Sequence, residues 1–393
     1  MSPAVQRPVY LDYHATTPVD PRVLDAMLPF FTEKFGNASS RNHAFGWAAA
    51  EAVDRGREHV AALVGAHHRE VVFTSGATES NNMAIKGVVA SAPASRRHVV
   101  TVATEHHSVI DTCRFLESLG CEVTWLPVQP SGLIDLQRLE TALTDRTALV
   151  SVMTANNEIG VLQPVAEIGA LCARRGVVFH TDASQAAGRV PFDIEAAQAD
   201  LVSFTAHKLY GPKGIGVLVV RRRGACKALP PLLHGGGQER GLRPGTLNVP
   251  GIVGFGEAAR LCRLELDDEG RRIGAQRDRL LAGLRQRLGD VHVNGSLDHR
   301  LPHNLNVGFP GIDPEPLRIA LDDLAVSFGA ACSTGTSTPS HVLAALGTRA
   351  DLALSSVRFG LGRWTSDEDI DFAVAKVAGV VDSLRRQKTA LAG

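Results

Sequence analysis

The chain has 393 residues, too many for one ordinary hydrophobic core, so we expect one large and one smaller domain. Lys and Arg together number 41, as do Asp and Glu, and this balance argues against a nucleic-acid surface and against a polybasic membrane anchor. The composition, 44% apolar and 21% charged, is typical of soluble globular proteins, and no apolar run reaches transmembrane length.

The cysteines and the first residues indicate a cytoplasmic protein. Six cysteines are scattered without a CxxC pair, which argues against a structural zinc site and a disulfide framework and favours a reducing compartment. The opening segment MSPAVQRPVYLDY has no apolar core of the signal-peptide kind. We therefore expect a cytoplasmic protein of enzyme size.

Apolar strands alternate with amphipathic helices from about residue 70 to residue 220. The predicted strands are EVVFTSG, HVVTVAT, CEVTWLPV, TALVSVMT, GVVFHTDA and DLVSFTAH, and the predicted helices include TESNNMAIKGVVA, SVIDTCRFLESLG and VAEIGALCARRG. This order predicts an α/β fold with a mainly parallel sheet covered on both faces. Ligands bind such sheets beyond the carboxyl ends of the strands. Polar residues cluster at these ends: Thr74–Thr78, Thr104–His107, Thr154–Asn157, Thr181–Gln185 and Thr205–Lys208.

The last third of the chain has a different pattern. A charged helix predicted over residues 264–289 leads into a smaller domain with the segments NLNVGFP, LAVSFGAACSTGTSTPS and SSVRFGLGRW and a closing helix after Asp367. We find no internal repeat and no low-complexity linker. The sequence therefore predicts two domains joined by a helix.

The segment TSGATES is a candidate anion site. A strand ends at Thr74, Gly76 permits a tight turn, and a helix starts near Thr78. Backbone amides and the positive end of the helix dipole attract an anion at such a position. An ordinary strand–helix turn has the same pattern, so the segment alone does not decide between the two.

Charged residues follow two buried strands. Asp182 is costly to bury without a partner, so it either caps a helix or holds a protonated ring nitrogen. Lys208 is either an outward-reaching charge or an amine that loses its proton and forms a Schiff base with a carbonyl. Lys213 lies in the glycine-rich turn GPKGIG, where a solvated side chain is the default. We predict that Lys208, and not Lys213, is the functional lysine.

His106, Cys332 and Arg358 are further candidates. Adjacent histidines in a strand point to opposite faces, so His106 and His107 predict no metal site, and the His106 ring is expected to stack on an aromatic ligand. Cys332 stands among small polar residues that suit a surface loop and a nucleophilic thiolate. Arg358 needs an anionic partner, either in a structural salt bridge or in a substrate carboxylate. We expect the remaining cysteines to be inert: Cys113, Cys121, Cys172, Cys226 and Cys262.

Together these groups meet the requirements of a pyridoxal phosphate (PLP) site: a phosphate position, an acid for the ring nitrogen, a lysine and a stacking ring. The chain also resembles the cysteine desulfurases of the class V, fold type I PLP enzymes. The resemblance covers nearly the whole chain, in the motifs YLDYHATTPVDPRV, GNASSRNHAFG, VFTSGATESNN, TEHHSV, NNEIG, HTDASQ, SFTAHKLYGPKGIG, HGGGQERGLRPGTLNV and SVRFGLGR. It implies a homodimer, with a large PLP-binding domain of residues 17–262 and a smaller α+β domain of residues 1–16 and 263–393.

The resemblance implies a role for each site residue. Lys208 forms the Schiff base and moves protons at the substrate α-carbon, Asp182 pairs with the ring nitrogen, and His106 stacks on the ring. The remaining cofactor ligands are Gln185 at the ring hydroxyl, Asn157 beside the ring, and Ala77, Thr78, Thr205, His207 and the partner subunit's Thr246 at the phosphate. Arg358, with help from Asn37, binds the cysteine carboxylate. His14 departs from the family, because many of its members have alanine there.

The resemblance also implies the reaction. The thiolate of Cys332, in a loop of residues 327–340, attacks the sulfur of bound L-cysteine, keeps it as a persulfide and releases alanine. The loop then reaches an acceptor, which is a scaffold, thiolation or phosphorothioation protein. Alternatives are a selenocysteine lyase, another class V PLP enzyme such as a small-substrate aminotransferase, and a non-catalytic sulfur-relay partner. The first two keep the PLP set, an aminotransferase has no use for Cys332, and the relay partner is expected to lack part of the set.

Overall fold

A computed structural model describes residues 8–221, 226, 229–331 and 338–392. The predicted nucleophile Cys332 lies outside the described residues. The strands are β1 (Val9–Tyr10), β2 (Val71–Thr74), β3 (His98–Val102), β4 (Glu122–Leu126), β5 (Thr147–Ser151), β6 (Val178–Asp182), β7 (Leu201–Thr205), β8 (Gly216–Val220), β9 (His292–Val293), β10 (Asn304–Gly308), β11 (Leu324–Ala325), β12 (Ser327–Phe328), β13 (Ala330–Ala331), β14 (Thr338–Pro339) and β15 (Ser356–Gly360). The helices are α1 (Pro21–Met27), α2 (Pro29–Thr32), α3 (Ala44–Leu63), α4 (Ala77–Ser91), α5 (His107–Ser118), α6 (Leu136–Ala142), α7 (Val165–Arg175), α8 (Val249–Leu288), α9 (Pro314–Ala320), α10 (His341–Ala345), α11 (Ala350–Leu354) and α12 (Asp367–Ala392).

The central sheet has seven strands in the order β2-β8-β7-β6-β5-β3-β4. Only β8 runs antiparallel to its neighbours β2 and β7, and the other pairs are parallel. Every residue of β2, β3, β5, β6, β7 and β8 is buried, as the apolar runs in the sequence predicted. The expected mainly parallel α/β sheet is confirmed.

Helices cover both faces of this sheet. Successive strand residues point to opposite faces, so Val72 belongs to a core cluster with residues of α4 and α5, whereas its neighbour Phe73 belongs to another with residues of α3, α7 and α8. Burial of one large apolar side chain contributes about 1.5–3 kcal/mol, so two covered faces stabilise the sheet strongly. The covered faces leave the strand ends as the open part of the large unit.

A second core lies around the four-stranded sheet β12-β15-β10-β9. It includes Leu280 and Leu284 of α8, Val377 of α12, and Leu11, which follows β1. Because β1 pairs with β11, Val9 and Leu11 pack in this core. The domain boundaries themselves stay a prediction.

The helix between the two cores is longer than predicted. It begins at Val249, not near residue 264, because the Asn248 side chain caps it by accepting from the Gly251 amide, and Pro250 lies in the first turn, where proline fits. The expected boundary at residues 262 and 263 therefore falls inside one continuous helix of 40 residues. Among the described helices, none combines the length and apolarity that crossing a membrane requires.

Candidate active site

A cavity of about 710 Å³ lies at the carboxyl ends of the parallel strands. Segments that follow β2, β3, β5, β6 and β7 all contribute to its wall, as expected for this sheet type. Ten of the predicted site residues line it: Ala77, Thr78, His106, Asn157, Asp182, Gln185, Thr205, His207, Lys208 and Arg358. The structure thus brings together residues that are up to 281 positions apart in the chain (Ala77 and Arg358).

Lys208 ends a short 3-10 turn, Ala206–Lys208, directly after β7. Its Nζ donates to the backbone oxygens of His14 and Ala15, the latter at 2.8 Å. Burial, together with the nearby Arg358 guanidinium, lowers the pKa of Lys208 to about 8. Lys213 also lies at the cavity, but its side chain is exposed. Of the two lysines, Lys208 therefore has the environment of a reactive amine.

Asp182, the last residue of β6, is 6% exposed at the cavity wall. Its carboxylate accepts from Asn81 Nδ2 at 2.8 Å and from the Ser184 amide at 2.9 Å. Asn81 also donates to the Ser108 hydroxyl at 2.8 Å, and this hydroxyl contacts His106 Nδ1 at 2.8 Å. One series of hydrogen bonds therefore fixes both the Asp182 carboxylate and the His106 ring, the two groups that the sequence predicted.

His106 caps α5, because its Nδ1 accepts from the Ser108 amide at 3.1 Å. Nδ1 is thus an acceptor and the proton lies on Nε2. Burial lowers the pKa of His106, so the ring is neutral near pH 7. Sequence reasoning missed Asn81 and Ser108, although both lie in the quoted motifs. The available signal was a polar residue on the buried face of a predicted helix.

The N-terminus of α4 forms another part of the wall, at Ala77 and Thr78. The first amides of a helix have no partner within it and attract anions. The turn before α4 lies against Gly216 of β8, where a Cβ would be 2.5 Å from the Cα of Gly76. Only glycine permits this close approach, so the shape of this helix N-terminus depends on β8 as well as on α4.

Thr205 and His207 lie beside this helix end. Burial, with Lys208 and Lys213 nearby, lowers the pKa of His207 to about 4, so its imidazole is neutral near pH 7. Its Nδ1 lies 3.1 Å from the Thr16 hydroxyl. The Thr205 hydroxyl donates to the Ile215 backbone oxygen at 3.0 Å, so it must rotate before it can donate to a phosphate.

Arg358 on β15 combines the two interpretations that the sequence left open. Its Nη2 donates to Asp12 Oδ1 and to the Ser327 hydroxyl, both at 2.7 Å, and its Nη1 donates to the Asn157 backbone oxygen at 2.9 Å. The Nε of Arg358 is buried and has no hydrogen-bond partner among the described residues. The guanidinium is therefore in a salt bridge, and Arg358 is also one of the residues that line the cavity.

Two of the predicted residues that the structure describes, Asn37 and Thr246, do not line the cavity of this chain. Asn37 is exposed, and its side chain accepts from the Ser39 amide at 2.9 Å. Thr246 is also exposed. Residues 332–337, with Cys332, lie outside the described part between the paired strands β13 and β14. The roles of Asn37, Thr246 and Cys332 stay predictions.

Cys113, Cys121, Cys172 and Cys262 are free and buried, as expected for inert thiols, and Cys226 is also buried. Burial raises the pKa of Cys113 and Cys172 to about 12 and that of Cys262 to about 11, so these thiols are protonated near pH 7. Within the described ranges, no three His, Cys, Asp or Glu side chains are grouped as a metal ion would require.

The chain belongs to the aminotransferase class-V family, whose model matches residues 9–372. Within this class it is similar to Cysteine desulfurase IscS of Anaeromyxobacter dehalogenans (strain 2CP-C), which is 53% identical over 378 residues covering 96% of this chain and 93% of the relative. Cysteine desulfurase IscS of Rickettsia rickettsii (strain Iowa) is 48% identical over 378 residues, covering 96% and 92%. The predicted membership of class V is confirmed.

Solved structures agree with this assignment. A NifS-like protein superposes with a TM-score of 0.89 at 36% identity, covering 96% of this chain and all of its own. SspA in complex with cysteine has a TM-score of 0.78 at 36% identity, covering 92% of this chain and 100% of its own. DndA from Streptomyces lividans has a TM-score of 0.76 at 41% identity, covering 88% and 97%.

Proposed function

We propose that this chain is a PLP-dependent cysteine desulfurase, which converts L-cysteine to L-alanine and transfers the sulfur, as a persulfide on Cys332, to an acceptor protein. The observation that carries the proposal is the convergence of the Lys208 amine, the Asp182 carboxylate and the Arg358 guanidinium on one cavity. The relatives named cysteine desulfurase and the cysteine complex of SspA support the same substrate.

The residues of the cavity fit PLP. Asp182 offers a held carboxylate to a protonated ring nitrogen, Gln185 offers an amide to the ring hydroxyl, and the α4 N-terminus offers amides to a phosphate. When bound, PLP supplies an electron-withdrawing ring that stabilises negative charge at the substrate α-carbon. Phosphate contacts from Thr78, Thr205, His207 and the partner subunit's Thr246, and a ring contact from Asn157, complete the proposed cofactor set.

Lys208 acts as the amine that holds the cofactor and as the base that moves the α-proton. With a pKa of about 8, roughly one-tenth of this amine is neutral at pH 7, far more than for an ordinary lysine. The neutral His106 ring, fixed by Ser108, would cover one face of the cofactor and would add no positive charge beside Lys208.

The substrate carboxylate binds Arg358, whose buried Nε has no other described partner, with Asn37 and Asn157 as proposed helpers. The Cys332 thiolate then attacks the substrate sulfur. A sulfur–sulfur bond forms, the carbon–sulfur bond breaks, and its electron pair stays on carbon, which is protonated and leaves as alanine. We place the enzyme in the cytoplasm as a homodimer, with a scaffold, thiolation or phosphorothioation protein as acceptor.

Production of alanine and sulfide from L-cysteine, with a reductant present, tests this function. We expect Lys208→Ala to lose both the visible cofactor band and activity, whereas the matched control Lys213→Ala keeps both. Cys332→Ala should keep the band and lose desulfuration. Full activity in Cys332→Ala contradicts the persulfide mechanism, and transamination that is unaffected by this change identifies an aminotransferase instead.

A further inference from the structure

His14, the residue that departs from the family pattern, is buried in the cavity wall at 1% exposure. Its Nδ1 lies 2.9 Å from Gln185 Oε1, and its Nε2 lies 3.0 Å from Asn304 Nδ2. The ring stacks on His303 with centroids 4.4 Å apart. A Cβ on Gly360 would be 2.8 Å from the ring, so β15 has room for this histidine only because residue 360 is glycine.

The partners of Asn304 fix the tautomer of His14. Arg300 can only donate, and its Nη1 lies 2.9 Å from Asn304 Oδ1, so this atom is the amide oxygen. The Asn304 Nδ2 donates to the Glu158 backbone oxygen at 3.1 Å, which gives the same orientation. Nδ2 therefore donates to His14 Nε2 as well, and the proton of the neutral ring must lie on Nδ1.

This tautomer fixes the orientation of Gln185. Gln185 Oε1 accepts from His14 Nδ1–H, and its Nε2 donates to the His14 backbone oxygen at 3.1 Å. Both bonds require the same orientation of the amide. In this orientation Oε1 faces the His14 ring, and Nε2 keeps one hydrogen that it can donate to a cavity ligand.

We propose that His14 is a positioning residue that holds Gln185 as a hydrogen-bond donor, so that the cavity binds a ligand whose ring oxygen is anionic. The inference rests on the proposed function, because the ring oxygen in question is that of PLP. Arg300 and Asn304, which do not line the cavity, determine the orientation of Gln185 through the tautomer of His14.

The surroundings of His14 keep the ring neutral. Burial and the positive charges of Arg358, Lys208 and Arg189 lower its pKa well below the ordinary value, and the ring stacked on it, His303, is also neutral because burial lowers its pKa. The tautomer is therefore expected to stay the same across the pH range in which Lys208 titrates.

Titration of the visible cofactor band of the purified holoenzyme tests the inference. A donor to the ring oxygen stabilises its anionic form, so we expect His14→Ala to raise the midpoint by about one pH unit. His14→Asn, whose amide nitrogen can replace Nδ1–H, should restore the wild-type midpoint. In a Gln185→Leu background, His14→Ala should add no further shift. His98→Ala is the matched control. His98 is also a buried histidine whose two ring nitrogens both form hydrogen bonds, but it does not line the cavity.

An unchanged midpoint in His14→Ala, or a full additional shift in the Gln185→Leu background, overturns the inference and leaves His14 a structural residue. Nitrogen NMR of ¹⁵N-histidine-labelled protein without cofactor gives an independent result, with His14→Ala used for assignment. The inference requires an Nδ1–H tautomer for His14, and an Nε2–H tautomer overturns it. Absence of any cofactor band in the wild type would instead contradict the proposed function, while the NMR result would still decide the orientation of Gln185.

Discussion

The two sides of the cavity are built differently. On the sheet side, Asp182 and His106 are joined through Asn81 and Ser108 by hydrogen bonds that stay within the large unit. On the other side, Arg358 comes from the small sheet and bonds to groups from separate parts of the chain. Buried hydrogen bonds within one unit hold one geometry, whereas a guanidinium whose partners come from separate segments of the chain can exchange them. The sheet side therefore fits a permanent cofactor, and the opposite side fits a substrate that enters and leaves.

The largest effect is expected from Asp182→Asn. This change removes the negative charge that we propose faces the ring nitrogen while keeping the size of the side chain, so we expect kcat/KM to fall by about 10³-fold or more. Steady-state kinetics and the position of the visible band measure it. Asp12→Asn on the opposite side is the comparison variant and should leave the band unchanged. A normal kcat/KM in Asp182→Asn would remove Asp182 from the mechanism.

Arg358→Ala should act on substrate binding. Loss of charge-assisted hydrogen bonds to a carboxylate corresponds to about a 10–100-fold rise in KM for cysteine, with the cofactor band unchanged. Measuring both KM for cysteine and the cofactor spectrum distinguishes an effect on substrate binding from an effect on cofactor binding. A changed cofactor spectrum with a normal KM would contradict the division of roles drawn here.

Asn81→Ala should destabilise the sheet side of the cavity, although Asn81 is not among the proposed substrate-binding residues. It leaves the Asp182 carboxylate and the Ser108 hydroxyl each short of a donor, so we expect a loss of about 1–3 kcal/mol in the free energy of unfolding. Urea denaturation measures this loss. Asn82→Ala is the matched control from the same helix, because the Asn82 side chain makes a solvent-exposed hydrogen bond to the Thr78 backbone oxygen. Equal losses in the two variants would mean that the network adds no stability.

The smallest effect is the pH dependence of cofactor attachment. Lys208 reacts as the neutral amine, and burial lowers its pKa to about 8, so the rate of PLP attachment to the cofactor-free protein should rise about tenfold per pH unit below 8 and level off above it. Stopped-flow absorbance measures the rate. A rise that continues to about pH 10 would indicate an ordinary lysine, whereas the Lys213→Ala variant should keep the midpoint of the wild type.

Sequence patterns predicted the sheet because its strands are apolar throughout, and each predicted strand from EVVFTSG to DLVSFTAH contains an observed one. They also selected Lys208 over Lys213, since a lysine at the end of a buried strand and a lysine in a glycine-rich turn have different surroundings. The start of α8 was missed because apolar residues and three glycines (Gly251, Gly254 and Gly256) obscure the helical period there.

Other features depend on contacts between distant parts of the chain. Arg358 meets Asp12 across 346 positions, and His14 meets Asn304 across 290, so no local pattern indicates either pair. The orientation of Gln185 depends on a series of hydrogen bonds that runs from Arg300 through Asn304 and His14, and the periodicity of the sequence does not encode such a series. The family resemblance pointed to Gln185 and noted His14, but the bond between them becomes visible only in the folded chain.

Helix α8 has a consequence for how this protein can be divided. At 1.5 Å per residue it is about 60 Å long, and Phe255 near its start packs in the large core while Leu284 near its end packs in the small one. A crossover between related genes at residues 262 and 263 would join halves of a helix from different parents. Each half would keep the core of its own parent, so the mismatch would fall at the junction inside the helix. Chimeras of this family should therefore exchange α8 whole, together with both surfaces that it covers.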